Sequence, residues 1–357
     1  MQIMVRRLVK TFLSTLALSM LMPPVGAAQS GTATKDTLSP ELFVRVSDER
    51  FRAVMHIGPG STPGSMLVLT THDAQEFDPA GKRVRMSGFP NELSMPFTAR
   101  FSSTGPQRII GLKSGFFSSW VDVLDDSANR LAKLKGSQYA TLEVADVLGD
   151  AAKEVLVEYN DGVAVLNETG RRIAFIRSPR YLYHFRTIQL PDSPKRAIAM
   201  WMWIDAKRGV DVAVFKADSA RVAAWHEDHA ERRVNVISLG GAEGEGLWSA
   251  VNGRFIERTI TGAVRRTFDM PGMMRFRHMH GGGLGGGRKV LVGSMGTVGS
   301  LVCVFDAAGV LIGQSTLPVL THAFYVPDPN GQVFFVGNGD KVLRYDVSSV
   351  PGSAALP

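Results

Sequence analysis

Three carboxylates in the stretch "ADVLGDAAKEVLVEY" are the side chains best suited to chemistry by type and spacing: Asp146, Asp150 and Glu154. A hard cation such as Ca²⁺ takes about six to eight oxygen ligands, so a binding loop alternates oxygen-bearing residues to aim them at one centre. The alternation here would run through Asp146, residue 148, Asp150, a backbone oxygen near Ala152 and Glu154, and residue 148 is leucine. The loop can therefore support weak Ca²⁺ binding at most. The competing reading, which the residues favour, has Asp146 and Asp150 accepting hydrogen bonds from local N–H groups to cap a turn. "HGGGLGGGRK" has no carboxylate and "LPDSPKR" and "VPDPNGQ" have one each, so neither a repeated array of Ca²⁺ sites nor any other cofactor is expected.

A second cluster lies in "MPGMMRFRHMHGGGLGGG", with Met270, Met273, Met274, His278, Met279 and His280. Thioether and imidazole suit Cu(I), and His278 and His280 fall on one face of a strand. Methionine also fills irregular gaps between packed sheets, and the packing reading is preferred. The glycine-rich part lacks the following helix that a phosphate cradle requires, so it reads as a long flexible loop between strands. "WHEDHAERR", from Trp225, spaces His226 and His229 three apart, which converges neither on a helix nor on a strand, and reads as a polar loop between repeats. No HExxH, CxxC or serine-elbow context occurs.

Cations recur in another setting. "PFTARF", "YHFRTI", "MRFRHMH" and "THAFYV" contribute Arg100, His184, Arg186, Arg277, His278 and His322. If these segments line a common channel, its mouth would attract an anionic ligand such as an acidic sugar, a carboxylate or a peptide C-terminus.

What could bring them together is a repeat. "AQEFDPAGKRV", "VDVLDDSANRL", "VAVLNETGRRI", "VAVFKADSARV", "RFIERTITGAV", "LVCVFDAAGVL" and the truncated "KVLRYDVSS" each read as strand, polar turn and new strand. The residues before the turn are Phe77, Leu124, Leu166, Phe215, Arg258, Phe305 and Tyr345, spaced by 47, 42, 49, 43, 47 and 40. A period in the forties built from short strands predicts an all-β, seven-bladed β-propeller of four-stranded antiparallel blades. After "VLRYD" the chain is too short for a fourth strand. The N-terminal "LFVRV", Leu42 to Val46, is expected to fill that place and close the ring in the last blade.

The unit "ADVLGDAAKEVLVEYNDGVAVLNETGRRI" resembles the FG-GAP/VCBS family of propeller repeats, with weaker likeness in "HGGGLGGGRKVLVGSM" and "VPDPNGQVFFVGNGD". That resemblance implies an Asp-rich Ca²⁺ loop ahead of a strand, in secreted or surface proteins with adhesive or recognition roles. Against the family pattern, Leu148 and Ala151 mark the loop as degenerate.

The first residues, with Arg6, Arg7 and Lys10 before an apolar core and small residues to Ala28, read as a secretory signal peptide. The expected organisation is a signal peptide over 1–28, a flexible segment over 29–40, the propeller over 41–348 and a tail over 349–357. Removing the signal lowers the formal charge from +7 to +4, without a Lys/Arg block, so neither nucleic acid nor stable membrane insertion is expected. The one cysteine, Cys303, can form no intrachain disulfide and reads as a buried apolar residue. These features point to a periplasmic or secreted monomer that binds a protein or an anionic glycan or carboxylate ligand without catalysis. The alternatives are a propeller lyase, lactonase or other hydrolase acting on sugars, and a copper-handling protein using Met273, Met274, His278 and His280.

Overall fold

Alternating and fully apolar runs set between short turns form antiparallel sheets in the computed structural model. It describes residues 38–46, 54–90, 92–102, 104–114, 119–136, 141–191, 193–205, 209–227, 236–239, 245–251, 254–269, 278–294, 299–319, 321 and 323–350. The closing strand is β1 (Glu41–Arg45). Blade 1 holds β2 (His56–Pro59), β3 (Met66–Leu69), β4 (Asp73–Phe77) and β5 (Arg83–Gly88). Blade 2 holds β6 (Ser94–Arg100), β7 (Gln107–Ser114), β8 (Ser119–Leu124) and β9 (Arg130–Gly136). Blade 3 holds β10 (Leu142–Ala145), β11 (Glu154–Tyr159), β12 (Gly162–Leu166) and β13 (Arg172–Arg177). Blade 4 holds β14 (Leu182–Gln189), β15 (Arg196–Asp205), β16 (Gly209–Phe215) and β17 (Arg221–Glu227).

Blade 5 holds β18 (Val236–Leu239), β19 (Gly246–Val251), β20 (Arg254–Arg258) and β21 (Val264–Asp269). Blade 6 holds β22 (His278–Gly283), β23 (Lys289–Ser294), β24 (Ser300–Phe305) and β25 (Leu311–Leu317). Blade 7 holds β26 (Phe324–Tyr325), β27 (Val333–Asn338) and β28 (Lys341–Asp346), and its fourth strand is β1. The sheets are seven four-stranded antiparallel blades in a propeller ring. The closure expected of the N-terminal strand is present: Leu42 pairs with Leu343 and Val44 with Val342.

One turn recurs between the third and fourth strands. In blades 1 to 6 the residue after the third strand both donates to and accepts from the turn backbone, as in Asp78 N–H to Lys82 O and Gly81 N–H to Asp78 O. The fourth turn residue is left-handed at Gly81, Ala128, Gly170, Ser219, Gly262 and Gly309. A side-chain oxygen braces the loop in several copies, as Asp78, Asp125, Asn167 and Asp306 do by accepting backbone N–H groups. A bulge follows in each, which strengthens the local twist that a radial blade needs.

Apolar side chains fill the gap between every pair of neighbouring blades, giving seven separate clusters among the described residues. The middle strands bury both faces, which is why Val155, Leu156 and Val157 form an unbroken apolar run. Cys303 lies in the cluster between blades 5 and 6, where burial pushes its thiol up to about 12. Leu38 and Val350, just outside the expected 41–348 limits, are buried between blades 6 and 7.

Two expectations are corrected. Gly281–Gly283 are the end of β22 rather than part of a long loop, and only a short 3₁₀ turn, Gly285–Gly287, follows. The reason is space: a Cβ on Gly282 would lie 2.8 Å from Val326 of blade 7. Trp225, His226 and Glu227 belong to β17 and not to a loop, with His226 Nδ1 2.8 Å from Asp211 Oδ1. His229 lies outside the described residues.

Candidate binding site

The acidic loop joins β10 to β11, and its oxygens meet the loop's own backbone. Asp146 accepts from the Gly149 and Ala151 N–H groups, Asp150 from Ala152 N–H at 3.1 Å, and Glu154 from Val147 N–H at 3.0 Å. Burial raises the Glu154 carboxyl, the Val147 N–H opposes it, and the neighbouring Asp150 and Asp146 raise it further. Ala151 takes a left-handed φ of 66°, the conformation that glycine adopts without a Cβ penalty. Lys153 N–H donates to Phe101 O of blade 2 and Arg196 N–H of blade 4 to Asp146 O, so the loop ties three blades together. Among the described residues no group of three His, Cys, Asp or Glu side chains is arranged to hold a metal.

First strands from six blades surround a central cavity of about 790 Å³. Its two described arginines are matched by carboxylates across blades, while Lys153 also lines it. Arg186 NH1 lies 3.2 Å from Glu143 Oε1, while Thr187 N–H donates to Glu143 Oε2 at 2.7 Å. Arg196 NH2 lies 2.8 Å from both oxygens of Glu245 and also donates to the Thr187 carbonyl. Burial raises Glu143, and Arg186 and the Thr187 N–H pull it back. His56, bonded to Thr98 Oγ1 at 3.2 Å, is lowered by burial to about 4 and so is neutral at physiological pH.

A polar relay lies at one end of blades 3 and 4. Thr141 N–H donates to Glu158 Oε2 at 3.3 Å, and Thr141 Oγ1 lies 3.0 Å from His184 Nδ1. Burial pushes Glu158 up to about 7, with the Thr141 bonds and Arg186 opposing.

The structure thus divides the cations that the sequence grouped. Arg186 faces the cavity, already paired; His184 bonds Thr141; Arg100 lines a different pocket. Arg277 and His322 lie outside the described residues, as do Met270, Met273 and Met274, and the side chain of His278 is likewise outside them. Met279 is packed between blades 5 and 6, while His280, on the opposite face of β22, lines the central cavity. Sequence reasoning passed over Glu143, Glu158, Glu245 and His56. A signal for Glu143 exists in the repeat: it is the one carboxylate of "YATLEVA", which forms β10, and it holds the place in blade 3 that Arg186 holds in blade 4.

A second pocket, of about 800 Å³, opens beside the closing strand where blade 7 meets blade 1. The bulge at Phe43 turns its ring onto Phe335, with centroids 5.1 Å apart. Tyr325, Pro59, Pro63 and Pro327 complete much of the apolar wall, and Arg100 stands at the pocket. The 60–65 loop is held by buried Glu76, which accepts from Ser61 N–H at 2.6 Å, Ser61 Oγ at 2.7 Å and Ser65 Oγ at 2.7 Å, and pairs with Arg85 at 3.2 Å. Burial pulls the Glu76 carboxyl up, but these hydrogen bonds and Arg85 outweigh it and leave it lowered.

No family model matches the sequence, and neither does any curated protein. Among solved structures the chain is similar to BBS1N in a crystal of its complex with ARL6DN soaked with lead. The TM-score is 0.63 at 12% identity, over 90% of this chain and 98% of that one. For the mercury-soaked complex the TM-score is 0.59 at 11% identity, over 87% and 95%. At such identity the likeness shows the fold alone, a β-propeller.

Proposed function

We propose that the protein is an exported, FG-GAP/VCBS-like β-propeller that acts as a non-catalytic scaffold and binds a protein partner on the loop face bearing the closure pocket. One observation carries this reading: the guanidinium groups described in the central cavity are matched by carboxylates, whereas the pocket at the closure presents an apolar wall with Arg100 beside it. The matched arginines offer little field to a small anion and leave Lys153 as the cavity's remaining cation among the described residues, so the anionic-glycan reading is weaker. The solved neighbours, a propeller in complex with another protein, support the choice by fold-level analogy.

The test is a pull-down with the full chain less residues 1–28 from envelope extract, with cross-linking and mass spectrometry, beside a glycan array. Cross-links from one protein concentrated in the 60–65 and 326–332 loops are expected. A glycan hit without any specific protein would sink the reading.

The relay of Glu158, Thr141 and His184 favours a second reading, a propeller enzyme, because a carboxyl that titrates near neutrality can serve as a general acid or base. Turnover of lactone or uronate substrates that disappears in Glu158→Gln would establish it, and its absence across the panel would remove it.

A further inference from the structure

We propose that the closure pocket binds an extended, acidic peptide segment of the partner, with a carboxylate on Arg100 and a proline or aliphatic side chain against Tyr325, Phe335 and Pro63. This rests on the scaffold reading and specifies its ligand. The charge argument is local. Arg344, in the same pocket, is held by Glu41 at 3.2 Å and Asp346 at 3.0 Å. Arg100 has no hydrogen-bond or ion-pair partner among the described residues and is exposed. A guanidinium beside apolar walls, without a counter-charge, calls for a carboxylate in its fork geometry.

The wall is made ready before any ligand arrives. Glu76 ties down Ser61 and Ser65, and Gln107 Nε2 donates to Pro59 O at 2.9 Å. Such preorganisation lowers the ordering penalty of binding. It also argues against a sugar: with Ser61 N–H, Ser61 Oγ and Ser65 Oγ already engaged on Glu76, the loop has few groups left to satisfy a polyhydroxylated ligand. Aromatic and proline surface instead suits an extended chain with low ordering entropy. A pocket of about 800 Å³ fits a short run of chain rather than a folded domain. Tyr325, whose hydroxyl has no partner among the described residues, supplies a donor to the peptide backbone.

The experiment is display selection of random dodecapeptides on the full chain less residues 1–28, followed by fluorescence anisotropy of the enriched peptides on wild type, Arg100→Glu and Tyr325→Phe. Melting curves serve as the folding control. Enriched peptides are expected to share Asp or Glu next to a proline or aliphatic residue. Arg100→Glu should weaken them about tenfold or more, and an Asp→Lys peptide should recover binding on that variant. Tyr325→Phe, which keeps the ring, should weaken binding about threefold.

Failure to enrich any peptide, or peptides that bind Arg100→Glu equally well, overturns the proposal. The scaffold reading survives that result if the cross-linked partner maps to another part of the loop face, and falls with it if no partner is captured. Arg100-dependent binding of trigalacturonate without peptide binding would make this a glycan site and overturn both.

Discussion

Two ionisable residues inside this propeller, buried Glu158 and part-buried His56, are shifted in opposite directions by the same cause. Burial raises the Glu158 acid to about 7 from 4.5 and lowers His56 to about 4 from 6.5, because in each case it disfavours the charged form. The signs of their linkage to stability differ. Glu158 contributes fully below pH 4.5, and that contribution is lost as pH rises through about 7. His56 contributes fully above pH 6.5, and its share is lost as pH falls through about 4. Over the shared interval the two partly cancel. Glu158→Gln keeps the shape and removes the charge, so it should match wild type near pH 4 and exceed it at pH 8 by on the order of 3 kcal/mol. Denaturant titrations at acidic, neutral and alkaline pH measure this, and parallel curves for the two proteins would refute the assignment. Glu76 is buried as well but lies below the ordinary carboxylate range, because donors from Ser61 and Ser65 surround it.

Among the elements, the turn between third and fourth strands sets the shape of a blade. It needs a left-handed fourth residue, which glycine supplies in blades 1, 3, 5 and 6 and which Ala128 and Ser219 adopt with φ of 68° and 67°. A side chain in this region is strained by about 1–2 kcal/mol, partly offset by the greater unfolded-state freedom of glycine. Ser219 is exposed, so Ser219→Gly should stabilise the protein by about 0.5–1 kcal/mol. Ala128 is buried between blades 1 and 2, so Ala128→Gly should be nearly neutral, the strain relieved being balanced by a lost buried methyl worth about 0.8 kcal/mol. Thermal melts of the two variants decide the matter. Equal shifts would show that burial at this turn has no influence.

For the molecule as a whole, β1 carries more than its five residues suggest. It covers the edge of β28, and with its flanks it inserts Leu38, Val44 and Val46 into the gaps on both sides of blade 7. Each such side chain contributes about 1.5–3 kcal/mol, against a net stability of about 5–15 kcal/mol for a typical domain. A chain beginning at residue 47 should therefore melt far below the parent and self-associate through the exposed β28 edge, as read by calorimetry and size-exclusion chromatography. A monodisperse truncated protein with an unchanged Tm would mean that closure is dispensable.

The same division separates what the amino-acid order determined from what the fold decided. Blade number, the recurrent turn and the closing strand were legible because they depend on period-two alternation and on glycine and Asx turn chemistry, which act within a few residues, and the alternating "LFVRV" ahead of the first blade pairs with β28. Six of the seven turn anchors end their strands where expected, and only the last, Tyr345, falls one short of Asp346. The ionic pairing was not legible. Arg186 meets Glu143 and Thr141 meets His184 across a blade boundary, a full repeat apart in the chain. Alternation says that a side chain points inward, but the twist and radial spacing of neighbouring sheets select the group it meets there. Arg186 was thereby matched inside the ring while Arg100 was left facing the pocket at its seam.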